Sequence, residues 1–294
     1  MDLNLILVCV VIVVALFFSY TNGFHDAANA IATSVSTRAW TPRAALLMAA
    51  TMNVIGAMMG TAVAKTVGKG IISISDYAES PLPEMQQKGL VIILAALLGA
   101  CIWNLITWWF GLPSSSSHAL IGGMVGAGLL SGTMVHWWGI MSHVVIPMFA
   151  SPIIGFVIGY FVMKLVLWLL RNAQYHRTMR RFRAAQRFSS AAMALGHGIQ
   201  DAQKTMGIIV MALLAGGYGE THNILDPITG EMNVPLWVKI SGALAISLGT
   251  MAGGGRIMRT IGRKIIDLDP ARGFTAEAVS SSILYLCSYV IHAP

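Results

Sequence analysis

The hydrophobic positions of the chain fall into long runs bounded by Gly, Pro and charge rather than into short alternating stretches. About 20 apolar residues suffice to span a bilayer. The runs at roughly 3–20, 43–67, 89–110, 144–170, 189–216, 238–253 and 274–290 therefore predict membrane-crossing helices. A shorter Gly-rich piece, reaching to about residue 132, follows Pro113-Ser114-Ser115-Ser116-Ser117-His118. The first run does not end at 20. It continues to 33, too far for one straight crossing, and the added part carries Asn22, His25, Asp26 and Asn29. The pattern predicts a break at Asn22-Gly23 and a new half-helix from about His25. The fold class is an all-α polytopic membrane protein with broken and re-entrant helices.

Composition agrees. Of 294 residues, 56% are hydrophobic and only 11% charged, with a mean hydropathy of +0.70, against about 25% charged in a soluble domain. The formal charge of +7 reads as the excess of Lys and Arg in cytoplasmic loops, not as a nucleic-acid surface. Arg38 and Arg43, the arginines of 171–187, and the basic residues of 256–272 fall on one side if the N-terminus is outside. Asp76, Glu79, Glu84, Glu220, Asp226 and Glu231 then fall on the other. Met1-Asp2-Leu3 lacks a basic n-region, so no signal peptide is expected. Cys9, Cys101 and Cys287 lie in apolar runs without disulfide or metal spacing. Trp108, Trp109, Trp137 and Trp138 read as interface belts.

An internal repeat organises the chain. Gly23-Phe24-His25-Asp26 returns as Gly198-Ile199-Gln200-Asp201, an offset of 175 residues, and residues 65–68 echo 259–262. Five crossings precede the second copy. An odd number inverts one half against the other, so two inverted repeats are expected, the architecture of secondary transporters with a midplane site. The division is 1–170 as first repeat, 171–187 as basic cytoplasmic loop, and 188–294 as second repeat.

Ionisable residues at membrane depth are costly and mark function. A half-helix starting near His25 would present free N–H groups and a positive dipole end to an oxyanion. Asp26 in the same place repels that anion unless a cation or proton sits between them, so coupled binding of Na+, H+ or a metal follows. His25 can carry a proton near neutral pH, and Asn29 lies one turn on. In the second copy Asp201 matches Asp26, Gln200 replaces His25, and Lys204 stands where Asn29 stands. Lys204 either pairs with Asp201 three residues back or contacts an anion. Pro113 ends a helix, and Ser114, Ser115, Ser116 and Ser117 open the next with hydroxyl and amide donors, as a re-entrant tip does. Asn104 and Glu277 are further cavity or cation candidates. No nucleophile elbow, helical Ser-Lys pair or nucleotide motif occurs, so an enzyme is not expected.

At residues 22–33, 111–118 and 196–207 the sequence resembles the bacterial branch of the inorganic phosphate transporter (Pit) family, along essentially the whole chain. The resemblance implies a plasma-membrane symporter importing inorganic phosphate, as the free ion or a metal–phosphate complex, with H+ or Na+. Phosphate would be held by Ser114–Ser117, Asn29, Gln203 and Lys204. The coupling cation would be held by Asp26, Asp201, His25, Gln200, Asn104 and Glu277, with Asp26 and Asp201 as Na+ ligands. No cofactor and no structural metal are implied; a homo-oligomer is compatible. The family's second half carries a Pro-Val-Ser-Thr-Thr-His tip, and the chain stops at residues 291–294 where that tip is expected to start. The second repeat is thus expected to be C-terminally incomplete. Sulfate, another tetrahedral oxyanion, is the alternative substrate, and a non-transporting membrane scaffold working through 171–187 the alternative class.

Overall fold

A computed structural model of the chain describes residues 3–60, 64, 77, 82–219, 221–222, 224, 233–253 and 268–287. The echo of 65–68 in 259–262, the acids Asp76, Glu79, Glu220, Asp226 and Glu231, the basic residues 256–264 and the stop at 291–294 lie outside them. The described residues form an all-α protein of eight helices: α1 (Leu3–Ser36), α2 (Pro42–Met58), α3 (Pro83–Phe110), α4 (Ser116–Ser131), α5 (Trp137–Leu169, with a π turn at Met141–Val145), α6 (Tyr175–Ala215), α7 (Leu236–Ala252) and α8 (Pro270–Leu286). Among these, α1, α3 and α5 are long and apolar enough to cross a membrane. The segment Ile146–Leu169 of α5 has no buried residue, as expected of a face turned to lipid.

The predicted break at Asn22-Gly23 does not exist. The helix α1 runs unbroken for 34 residues, about 51 Å at 1.5 Å per residue. Gly23 serves a close approach instead: a Cβ there would stand 2.2 Å from the Ile246 carbonyl oxygen of α7. The second copy behaves likewise, because α6 is continuous from Tyr175 to Ala215 and a Cβ on Gly198 would stand 2.5 Å from the Asn53 carbonyl oxygen. Continuity also corrects the basic loop. Only 171–174 are non-helical; from Tyr175 the exposed arginines ride on the first turns of α6.

Packing is reciprocal. The helix α7 lies on α1 and α2 lies on α6. A Cβ on Gly249 would meet the Tyr20 carbonyl oxygen at 2.1 Å, and one on Gly56 would meet that of Leu195 at 2.2 Å. The 175-residue offset carries Tyr20 onto 195 and Gly23 onto 198. The helices α1 and α6 run antiparallel, with Val8 beside Gly216 at one end and Thr37 hydrogen-bonded to Gln186 (2.6 Å) at the other. Alongside α1 runs α3 in the same direction, tied by Asn4–Gln86 (2.8 Å) and Asn104–Thr21 (3.3 Å). Alongside α6 runs α8, tied by Ser189–Glu277 (2.5 Å) and Tyr285 to the Ala192 carbonyl (2.7 Å).

The serine tip forms as predicted. Gly111 closes α3 in the left-handed conformation (φ 67°), where a side chain would be strained. Ser115 caps α4, its hydroxyl accepting from the His118 N–H at 3.3 Å. The helix α4 packs back on α3 so closely that a Cβ on Gly123 would lie 2.5 Å from the Ala96 carbonyl oxygen. Its 16 residues reach about 24 Å, short of a hydrocarbon core of about 30 Å. The tip therefore stops inside the protein, level with Asp26.

Candidate functional site

Where the tip meets the middle of α1 and α6, a cavity of about 450 Å³ is lined by Asp26, Asn29, Ser114, Ser115, Ser117, His197, Gln200, Asp201 and Lys204, with Pro113, Met193 and Leu284 also in its walls. Eight of the residues singled out in the sequence come together here from three elements that are distant along the chain.

Asp26 is buried and accepts from three groups. His25 Nδ1 lies 3.1 Å and Asn29 Nδ2 3.2 Å from Oδ1, while the Ser116 hydroxyl donates to Oδ2 at 3.0 Å. Behind it, His25 Nε2 meets the Thr107 hydroxyl at 3.0 Å, and Ser114 Oγ donates to the same oxygen at 3.1 Å. Asp201 is equally buried: His197 Nε2 lies 3.0 Å from Oδ2 and Lys204 Nζ 2.5 Å from Oδ1. The same ammonium donates to the Ser117 hydroxyl, so Lys204 both pairs with Asp201 and reaches the tip. Asp26, His197 and Asp201 each offer one ligand atom, all within 4.8 Å of one another. Two buried carboxylates, an imidazole and serine hydroxyls converging on one cavity can hold a cation and a tetrahedral oxyanion side by side.

Of the helix N-termini expected at His25 and at the serine tip, only the second is present. His25 and Ile199 lie inside continuous helices whose N–H groups are already used, so α4, with Ser115 and Ser116, supplies the free donors. Three further residues lie apart from the cavity. Asn104 is buried between α3 and α1, donating to Thr21. Gln203 is turned toward α2, where its amide fills the space beside Gly60. Glu277 forms its own cluster below the site, accepting from Thr33, from Ser189 (2.5 Å) and from Gln186 (3.1 Å). Conversely, His197 and Thr107 were not singled out in the sequence. His197 sits one turn before Asp201, on its face of α6, and at the position that the 175-residue offset assigns to Asn22; that i, i+4 spacing was the available signal.

Comparison with known proteins fits this geometry. A model of the phosphate transporter family matches residues 22–294. A probable low-affinity inorganic phosphate transporter of Bacillus subtilis is 40% identical over the whole chain, which covers 83% of that protein. A protein of the same description from Streptomyces halstedii is 56% identical over 67% of this chain and 89% of its own. Among solved structures, the sodium-dependent phosphate transporter superposes with a TM-score of 0.82 at 23% identity, covering 98% of this chain and 85% of that one, a likeness of fold. Built on α1, α6 and the serine tip, the chain belongs to the phosphate transporter family.

Proposed function

We propose that the protein is a secondary active transporter that imports inorganic phosphate by symport with a cation, H+ or Na+. One observation carries the reading: Asp26 and Asp201, from antiparallel helices, line one cavity with Lys204 and the serine tip. A phosphate about 5 Å from a carboxylate is repelled by roughly 3 kcal/mol at an effective dielectric constant near 20. Two carboxylates without a cation would exclude it. With a cation between them the same oxygens become ligands, and phosphate and cation enter together or not at all. Ser114, Ser115, Ser117, Asn29 and Lys204 then hold the phosphate oxygens, and a metal–phosphate complex fits the same pairing of charges.

His25 suits a proton. The Thr107 hydroxyl donates to the main-chain carbonyl of Trp103 at 2.9 Å, and His25 Nε2 faces it at 3.0 Å and the Ser114 hydroxyl at 3.4 Å. The ring thereby stands between the Asp26 carboxylate and the paired hydroxyls of Thr107 and Ser114, the place a proton carrier would take. The relatives' names support phosphate as the substrate, and the reciprocal Gly contacts of α1 with α7 and α6 with α2 support two inverted repeats, 1–170 and 188–294. We place the protein in the cell membrane with its N-terminus outside, the arginines of α6 then being cytoplasmic.

Labelled phosphate uptake into proteoliposomes, driven by an inward proton or sodium gradient, tests this. Uptake is expected to vanish in Asp26→Asn and to resist excess sulfate. Uptake that survives the substitution refutes the assignment, and full competition by sulfate moves it to the alternative oxyanion.

A further inference from the structure

Positions 29 and 204 correspond under the 175-residue offset, and the structure gives them the same bond with different charge. Asn29 Nδ2 donates to Asp26 Oδ1 across 3.2 Å, and Lys204 Nζ donates to Asp201 Oδ1 across 2.5 Å. Lys204 is 2% exposed and held a second time by Ser117. The other Asp201 oxygen faces His197 Nε2 at 3.0 Å. One Asp201 oxygen is therefore occupied by a covalently attached positive charge, and the other has His197 beside it.

The first half lacks such a charge. Asn22, the counterpart of His197, is 1% exposed, and neither polar atom of its side chain has a hydrogen-bond partner. It stands one helical turn before Asp26, on the same face of α1. A buried amide left unpaired costs roughly 1–3 kcal/mol, and a bare cation beside a carboxylate is what an amide oxygen in that position serves. Of the cavity-lining residues only Asp26, Asp201 and Lys204 carry a permanent charge; His25, His197 and, near Lys204, His118 are the titratable groups around them. Because Asp26, His197 and Asp201 lie within 4.8 Å of one another, these charges act on one volume. With Lys204 the site carries one excess negative charge; with Asn at 204 it would carry two.

We infer that Lys204 is a tethered cation: its ammonium takes on Asp201 the place that a soluble coupling cation takes on Asp26. The site thereby loads phosphate with one soluble cation fewer than a site with Asn at both positions. The inference rests on the cation-coupled phosphate reading above. It assigns Lys204 a part in setting the coupling ratio, beyond that of a phosphate ligand.

The test is equilibrium binding of labelled inorganic phosphate to the purified full chain while Na+ or H+ activity is varied. The slope of log affinity against log cation activity counts the cations taken up with phosphate. The slope is expected to rise by about one in K204N for one of the two cations, since linkage adds one cation per charge removed. K204R is expected to keep the wild-type slope, and D201N/K204N, which removes both charges together, to return to it. Equal slopes in wild type and K204N overturn the inference. So does loss of binding in both K204N and D201N/K204N, which would make Lys204 an obligatory phosphate ligand. If K204N does not fold, the double variant decides, and a slope there different from wild type overturns the inference. A wild type that binds no phosphate under any condition refutes the phosphate reading itself. The cation-induced rise in Tm then decides about Lys204: larger in K204N than in wild type supports the tethered charge, and equal rises overturn it.

Discussion

The Ser116 hydroxyl donates to Asp26 Oδ2 across 3.0 Å, and this bond fastens the first turn of α4 to the middle of α1. Ser116 is 1% exposed and Asp26 6%, so the bond is made inside the protein. Hydrogen bonds to charged groups contribute about 1.5–3 kcal/mol. Ser116→Ala is expected to lower Tm and to weaken phosphate uptake, because the tip loses its register against Asp26. A melting curve identical to wild type would show that the bond is not made.

Gly23 and Gly126 separate two roles of the same residue. Gly23→Ala puts a Cβ 2.2 Å from the Ile246 carbonyl oxygen, whereas nothing lies within 4 Å of a Cβ at Gly126 in α4. The first change is expected to destabilise by about 1–3 kcal/mol or more, the usual cost of overpacking. The second is expected to stabilise by up to about 1 kcal/mol, through helix propensity. Thermal melts of the two single variants check the opposite signs.

Glu277 joins α8 to α1 and α6 by accepting from Thr33, Ser189 and Gln186, and it is 4% exposed. Glu277→Leu leaves these donors without their acceptor and is expected to cost more than Glu277→Gln, which keeps one carbonyl oxygen in place. A double-mutant cycle with Ser189→Ala should give a coupling of about 0.5–3 kcal/mol, as for residues in one network. Additive effects would dissolve the cluster.

His25→Asn removes the ring that bridges Asp26 and Thr107. Wild-type uptake is expected to quicken as the outside pH falls, and the variant to lose most of that dependence while retaining some uptake driven by membrane potential. A variant with the wild-type pH profile excludes His25 as the proton carrier and leaves His197 in its place.

Much of the site was legible because burial of charge in an apolar run is so costly that Asp26, Asp201 and Lys204 stand out without a fold. Pro113 and the four serines were equally plain, since Pro and Gly111 stop a helix and Ser115 restarts one. Continuity of α1 and α6 was not legible. A glycine in a run either breaks a helix or admits a neighbouring backbone, and nothing around Gly23 or Gly198 in the sequence says that Ile246 and Asn53 come to meet them. Gln203 escaped for a related reason: adjacent to Lys204 in the chain, it points about 100° away around the helix, toward Gly60. His197 needed the helix: only a continuous α6 puts it one turn before Asp201 on the same face.

The unbroken α6 makes the arginine-bearing turns and the buried ammonium parts of one rod. Arg177 is exposed, and Lys204 lies about 40 Å further along the same helix at 1.5 Å per residue. Any roll or tilt that turns Lys204 toward one side of the barrier turns the outer arginines through the same angle, without a joint to absorb it. A spin label or fluorophore at position 177 is therefore an external dial for any such movement of Lys204.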